Sequence, residues 1–418
     1  MLKAIFSTAT FKQSQITVIG TIINGALGAG FYILLARFLG PFNFGLLILS
    51  VATLTLIADI VDFGTNTGLV RFVSSNIASN KEKAWRFLKL SLEVKFVIWI
   101  AVFALGTVFS PFVADKIFGK PELALPLKLV MFGVGGALLF SYATASLQAL
   151  QKYFTWSFVN ISTNLFRLLI ILMLFFYGQL GLISGLLVYL ALPFFGFSLA
   201  LFFLPSRAFL VKNEFSVAKD FFKFNFWVAA FTIVAAISAR LDIFLTGRLL
   251  SAQEVGIYGA AIQLVSVVPQ IVGALGIVAA PKFASFVNIK QMLNYLKKFQ
   301  LMVIGLSVLG LLAIPLSYWA IPIIFGQRYI ETVFPFIILF LAMLTFLISV
   351  PIHNSIIYYF GKPQVFVWVS IGHLFLIGFL GFLLISNYGV VGAAMAVLLG
   401  MVFNFLAPLA WFLIKIRK

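Results

Sequence analysis

The sequence predicts an all-α polytopic membrane protein, with about twelve transmembrane helices in two six-helix lobes related by an internal repeat. Three observations carry this. Of 418 residues, 63% are hydrophobic and 10% charged, against roughly a quarter charged in an average soluble protein. Apolar runs of about 20 residues, the length of a bilayer-crossing helix, recur along the whole chain. The chain also resembles itself at an offset of 211 residues, the distance from Gly45 to Gly256. This composition excludes a soluble enzyme and a disordered chain. Cysteine is absent, which excludes disulfides, thiolate catalysis and Cys metal sites.

The first run, 15–36, follows Lys3 and Lys12. It is longer than a signal-peptide core and no small-residue cleavage site follows, so it reads as a retained helix. The second run lies at 44–65, and a basic loop over 65–90 leads to the third at 91–113. The fourth and fifth occupy 127–148 and 156–177, and Tyr177-Gly178-Gln179 turns the chain into the sixth, 181–204. Loop 205–222 precedes the seventh and eighth runs, 223–247 and 256–280. Loop 281–298 leads to the ninth, 299–320, and the tenth lies at 331–353. The eleventh, 364–385, is parted from the twelfth, 389–413, by Ser386-Asn387-Tyr388. No loop is long enough to fold alone. The expected domains are an N-terminal lobe over 1–205, a cytoplasmic linker over 206–222 and a C-terminal lobe over 223–418.

Lys and Arg in short loops set orientation. The alternate segments that include both termini hold 20 of the 29 Lys and Arg residues, from Lys3 and Lys12 through Arg71, Lys89, Arg207 and Lys282 to Lys418. The other segments hold Arg37, Lys116, Lys120, Lys128, Arg248 and Arg328, and Lys95, Arg167 and Arg240 fall inside runs. This bias puts both termini in the cytoplasm of a multi-pass protein of the cytoplasmic membrane. It accounts for the net charge of +18 without nucleic acid.

The repeat is read from paired strings. Leu35-Ala-Arg37 to Gly45 matches Thr246-Gly-Arg248 to Gly256, and Arg71-Phe72-Val73-Ser74 matches Lys282-Phe283-Ala284-Ser285. Six runs per unit give both copies the same orientation, as in transporters built of two bundles about an axis along the membrane normal. Asn80-Lys-Glu-Lys-Ala-Trp-Arg-Phe-Leu-Lys89 and Asn288-Ile-Lys-Gln-Met-Leu-Asn-Tyr-Leu-Lys297 also resemble each other. Each reads either as an interfacial amphipathic helix or as the plain entry to the next run.

Leu34-Leu-Ala-Arg-Phe-Leu-Gly-Pro-Phe-Asn-Phe-Gly45 and Asp62-Phe-Gly-Thr-Asn-Thr-Gly-Leu-Val-Arg-Phe72 resemble the polysaccharide-export membrane proteins. So do Arg240-Leu-Asp-Ile-Phe-Leu-Thr-Gly-Arg-Leu-Leu250, Val255-Gly-Ile-Tyr258 and Pro281-Lys-Phe283. These are the O-antigen and repeat-unit flippases of the multidrug/oligosaccharidyl-lipid/polysaccharide exporter superfamily. The resemblance spans roughly residues 10–410. It implies alternating-access transfer of an undecaprenyl-pyrophosphate-linked oligosaccharide to the outer leaflet, for cell-surface polysaccharide assembly. The implied partners are that lipid-linked oligosaccharide, membrane lipids, a coupling cation (Na+ or H+), and polysaccharide polymerase and glycosyltransferases. No cofactor is implied.

Ionisable groups inside spans are costly and mark function by default. Thr55, Asp59, Asp62 and Asn66 fall at i, i+4, i+7 and i+11, one helical face. They read as a cavity wall for a cation or sugar, or as a mouth residue and an intralobe ion pair. Asn160, Asn164 and Arg167 share a face of the fifth span. Amides suit sugar hydroxyls, and a guanidinium pairs with phosphate bidentately; amides also join helices in membranes. Arg240 and Asp242, two apart, do not face each other, so each needs a partner elsewhere. Asp59 reads as the group that serves a coupling cation or the sugar near the cytoplasmic entrance, and Arg240 as a later contact or an intralobe bond. Arg71 and Lys282 occupy equivalent cytoplasmic mouths, for headgroup capture or for topology alone. Glu93 is four residues from Lys89 and reads as structural; His353 and His373 read as hydrogen-bonded interior residues.

Two other functions stay open. A cation-coupled multidrug or small-solute antiporter of the same superfamily calls for carboxylates lining the cavity. A membrane glycosyltransferase or polymerase calls for a sizeable outer loop with acids, and the outer acids here are only Asp115, Glu122, Glu254 and Glu331. There is no Walker loop, so no ATP bound to this chain powers it.

Overall fold

The computed structural model describes residues 9–417; Lys3 and Lys418, two of the orienting charges, lie outside the described residues. Among these residues the secondary structure is helical throughout, with no strand. Two helices are too long for a single crossing: Ala9–Val61 has 53 residues and Gln364–Arg417 has 54. At 1.5 Å per residue each would run about 80 Å, against a hydrocarbon core of about 30 Å. Both fold at a glycine in left-handed backbone, Gly40 at φ 71° and Gly389 at φ 56°, where L side chains are disfavoured. Pro41 then starts the second span, a position where its missing N–H costs nothing.

By length and apolarity, nine helices qualify as spans among the described residues, and the pair Ile289–Gly310 and Ala313–Phe325, bent by 46°, adds a tenth. Dividing the two long helices at their glycines brings the crossings to twelve, the predicted number.

Local details differ from the expectation at three points. The second span ends at Val61, and helix resumes as Thr65–Asn76. Phe63 and Gly64 both take positive φ, 49° and 70°, which no α-helix continues through. Thr55, Asp59 and Asn66 therefore do not lie on one unbroken helical face. The third span begins ten residues earlier than expected. The Asn80 side chain caps helix Lys81–Phe112 by accepting from the Lys83 N–H at 2.9 Å, and Asn288 caps Ile289–Gly310 through the Lys290 N–H at 2.8 Å. The two similar strings are thus the opening turns of spans, not separate interfacial helices. The seventh span is broken between Ser238 and Leu241.

The chain forms two compact units. One holds the chain up to Leu39 with Leu46–Ile237; the other holds Gly40–Gly45 with the chain from Ser238 onward. In the first, Phe87, Tyr142, Val73, Leu204 and Phe221 are buried together, and Phe72 stacks on Phe87 at 4.5 Å. Helix Phe215–Ser238 packs in this unit, through Phe221 and through Asn225 against Gly68. Small residues let membrane helices approach closely: a Cβ on Gly135 would lie 2.1 Å from the Trp99 ring, and one on Gly136 2.8 Å from that of Phe194.

In the second unit, the opening of the second span meets helix Ala252–Val265 backbone to backbone. A Cβ on Gly45 would stand 1.8 Å from the Ala252 carbonyl oxygen, and one on Gly256 would stand 1.9 Å from that of Pro41. The contact is reciprocal: Pro41 and Ala252, like Gly45 and Gly256, are 211 residues apart. No side chain can yield there, so backbone must move. Gly45→Ala is expected to destabilise the protein by about 1–3 kcal/mol or more, read as a lower unfolding midpoint in detergent. Gly305, whose Cβ would meet nothing within 4 Å, is the control: Gly305→Ala leaves the midpoint unchanged or slightly raised.

Candidate functional site

The first unit gathers an amide–aromatic–guanidinium cluster around Arg167, on helix Tyr153–Phe176. Its neighbours Leu165, Phe166 and Leu169 are exposed, while Asn160, Asn164 and Arg167 are half-buried. The predicted polar face therefore points inward. The Arg167 Nη1 donates to Asn164 Oδ1 at 2.7 Å, and Asn164 Nδ2 donates to Asn24 Oδ1 of the first span at 2.5 Å. Asn160 turns its amide back to the Trp156 carbonyl at 2.8 Å. The guanidinium lies over the Tyr189 ring at 4.6 Å and near Phe31 at 5.6 Å, and Tyr32 packs against both rings.

Among the described residues, no ion pair includes Arg167, and its Nε is buried without a hydrogen-bond partner. Aromatic faces hold the guanidinium plane by cation–π attraction and leave N–H groups on its edge unspent. A fixed planar fork with free donors is suited to a bidentate oxyanion. The sequence reading missed Asn24, Tyr32 and Tyr189. The signal for Asn24 was a lone amide in mid-run, where polar groups pair across helices.

Asp62 is committed within the same unit. It forms an ion pair with Lys95, which is fully buried, and accepts from the Thr65 hydroxyl at 3.0 Å and the Asn66 N–H at 3.4 Å. It thus caps the helix that follows the break. Lys95 also reaches Ser141 at 3.5 Å. Asp59 is half-buried and engaged with other groups. Glu93 pairs with Lys89 at 3.8 Å, as their spacing predicts, and accepts from Asn213 at 2.8 Å.

In the second unit, Arg240 sits at the break of the seventh span, with φ −131° and ψ 4°, and it too is engaged. Asp242 finds the separate partner its spacing required: the Tyr258 hydroxyl donates to it at 2.6 Å. His353 Nε2 lies 3.0 Å from the Asn404 carbonyl oxygen, and His373 Nδ1 lies 3.3 Å from the Ser238 hydroxyl. Arg71 and Lys282 are exposed, each seated by a phenylalanine: Arg71 over Phe224 at 4.3 Å, Lys282 near Phe286 at 5.6 Å. The structure thus joins Asn164 and Arg167 directly. It sets Asp62, Asp242, Arg71 and Lys282 in separate environments.

Comparison with known proteins adds three findings. A family profile described as polysaccharide biosynthesis protein matches residues 11–287. A Shigella flexneri protein provisionally named as an O-antigen transporter is 23% identical over 384 residues, covering 87% of this chain and 88% of its own. Among solved structures, the lipid II flippase MurJ in an inward closed conformation superposes with a TM-score of 0.76 at 16% identity, over 96% of this chain and 87% of that one. An inward-facing multidrug resistance transporter of the MATE family, in the MOP superfamily, gives 0.74 at 12% identity, over 94% of both chains.

Proposed function

Because the chain belongs to the polysaccharide biosynthesis protein family, we propose that it is a flippase. It moves an undecaprenyl-pyrophosphate-linked oligosaccharide from the cytoplasmic to the outer leaflet by alternating access. The observation that carries this reading is the half-buried Arg167, held by rings and amides with donors to spare and no carboxylate bonded to it among the described residues. An arginine at a helix centre in the membrane costs about 2.5–3.5 kcal/mol; an anionic ligand offsets that cost. The pyrophosphate binds the guanidinium and the sugars meet Asn24, Asn160 and Asn164. A cationic drug would be repelled by the same charge, which sets the antiporter reading behind this one.

The membrane potential drives the transfer. A pyrophosphate with about two negative charges moves outward down an inside-negative potential, worth roughly 2.3 kcal/mol per charge per 100 mV. The direct test is reconstitution. In proteoliposomes carrying a lipid-linked oligosaccharide, the protein should raise the fraction open to an impermeant glycosidase above that of protein-free vesicles. No rise overturns the proposal.

The proposed orientation has both termini in the cytoplasm. Cysteines are absent from the parent, so single introduced ones report cleanly. Cysteines replacing the exposed Glu122 and Gln327 are expected to react with an impermeant maleimide on intact cells, and one replacing the exposed Lys212 only after lysis. The reverse pattern refutes this topology.

A further inference from the structure

A cavity of about 420 Å³ opens in the first unit between helix Thr65–Asn76 and the last turn of helix Ala124–Ala149. That volume lies in the range of ligand pockets, roughly 300–1,000 Å³. Thr67, Arg71 and Gln148 are among the six residues that line it, and none of the six is acidic. Thr67 and Arg71 are exposed and Gln148 is half-buried. Among the described residues, no ion pair or side-chain hydrogen bond takes up any of these three. The Arg71 guanidinium lies over the Phe224 ring at 4.3 Å and near that of Phe72 at 5.8 Å. As at Arg167, ring faces hold the cation and leave its N–H edge free.

Positive-inside topology asks for a charge here but not for polar neighbours. The repeat separates the two. At the 211-residue offset Arg71 corresponds to Lys282, whereas Thr67 and Gln148 correspond to Val278 and Tyr359. The second copy keeps the charge alone; the first surrounds it with a hydroxyl and an amide. A guanidinium, an amide and a hydroxyl that open on one cavity all donate, so they suit an anion rich in acceptor oxygens. The nearest carboxylate in the chain, Asp62, is matched by Lys95 and does not oppose such a ligand.

We propose that this cavity binds the phosphate of a lipid headgroup, with Arg71 pairing to its oxygens and Gln148 and Thr67 donating beside it. In the orientation proposed above, the cavity stands at the cytoplasmic mouth. The phosphate belongs either to the diphosphate of the polyprenyl-linked substrate, which this site would receive before Arg167, or to an anionic phospholipid of the inner leaflet. The first assignment rests on the transport function proposed above; the second does not.

The test is equilibrium binding of a tritiated long-chain polyprenyl diphosphate to the full chain in phosphatidylcholine nanodiscs. The chain carries Arg167→Ala throughout, so that binding at Arg167 does not contribute. Saturable binding is expected to remain. Adding Arg71→Gln should weaken it about tenfold or more, the loss of a hydrogen bond between charged groups. Arg71→Lys should fall between, and Gln148→Leu should weaken it less than Arg71→Gln. Lys81→Gln, which removes an exposed charge of the same unit that enters no ion pair among the described residues, should leave it unchanged. Repeating the measurement with phosphatidylglycerol in the nanodisc separates the sources. Retained diphosphate binding assigns the phosphate to the polyprenyl-linked substrate, and Arg71-dependent displacement assigns it to the phospholipid. Absence of saturable binding, or equal losses from Arg71→Gln and Lys81→Gln, overturns the site. The two readings fail separately. Arg71-dependent binding by a protein that transfers nothing in proteoliposomes leaves the site without the transport function, and transfer without such binding removes the site alone.

Discussion

Arg167→Ala is expected to lower export of the polysaccharide by about two orders of magnitude while the protein still inserts and folds. A charge-assisted hydrogen bond contributes about 1.5–3 kcal/mol, and a bidentate pair makes two; each 1.4 kcal/mol is tenfold. Folding should survive, because the guanidinium makes no ion pair among the described residues and its bond to Asn164 lies on its own helix. Arg167→Lys keeps a positive charge in the cluster but loses the planar fork and its stacking on Tyr189, so export should fall between the parent and the alanine variant. The measurements are surface polysaccharide in cells deleted for the parent gene and membrane levels of each variant. Normal export by Arg167→Ala, at normal protein levels, removes Arg167 from the transport path.

The parts of this molecule legible in the sequence are those set by one-dimensional patterns. Apolar runs gave twelve crossings because a bilayer demands length and apolarity from each segment by itself. The face Asn160–Asn164–Arg167 was legible because one helix displays residues i, i+4 and i+7 together. The break at Phe63–Gly64 was not, because phenylalanine gives no local signal for positive φ. Without that break, Asp62 and Asn66 read as parts of one stripe. Lys95 was hidden for a related reason. It lies two residues beyond Glu93, whose face is exposed, and its partner Asp62 is 33 positions away in the chain, so only the packing of two helices shows that it is buried. Asn24 and Tyr189 joined the site in the same way, each from a different span from Arg167.

That buried pair supports the second large effect, on stability rather than transport. Asp62→Asn leaves Lys95, fully buried, without its counter-charge, and removing one member of a buried pair costs about 3–5 kcal/mol. Lys95→Met should cost less. The carboxylate it abandons is 13% exposed and keeps the Thr65 hydroxyl and the Asn66 N–H as donors. The methionine also fills the space of the lysine stem. Combining Asp62→Asn with Lys95→Met removes both charges, so the double variant should recover most of the stability lost by Asp62→Asn alone. Unfolding midpoints in detergent should therefore rank parent, double variant, Lys95→Met and Asp62→Asn in descending order, with the first two close together. A midpoint for Asp62→Asn equal to that of the parent would show that Lys95 is not held by Asp62. A stable double variant that fails to export would show that the pair serves transport as well as folding.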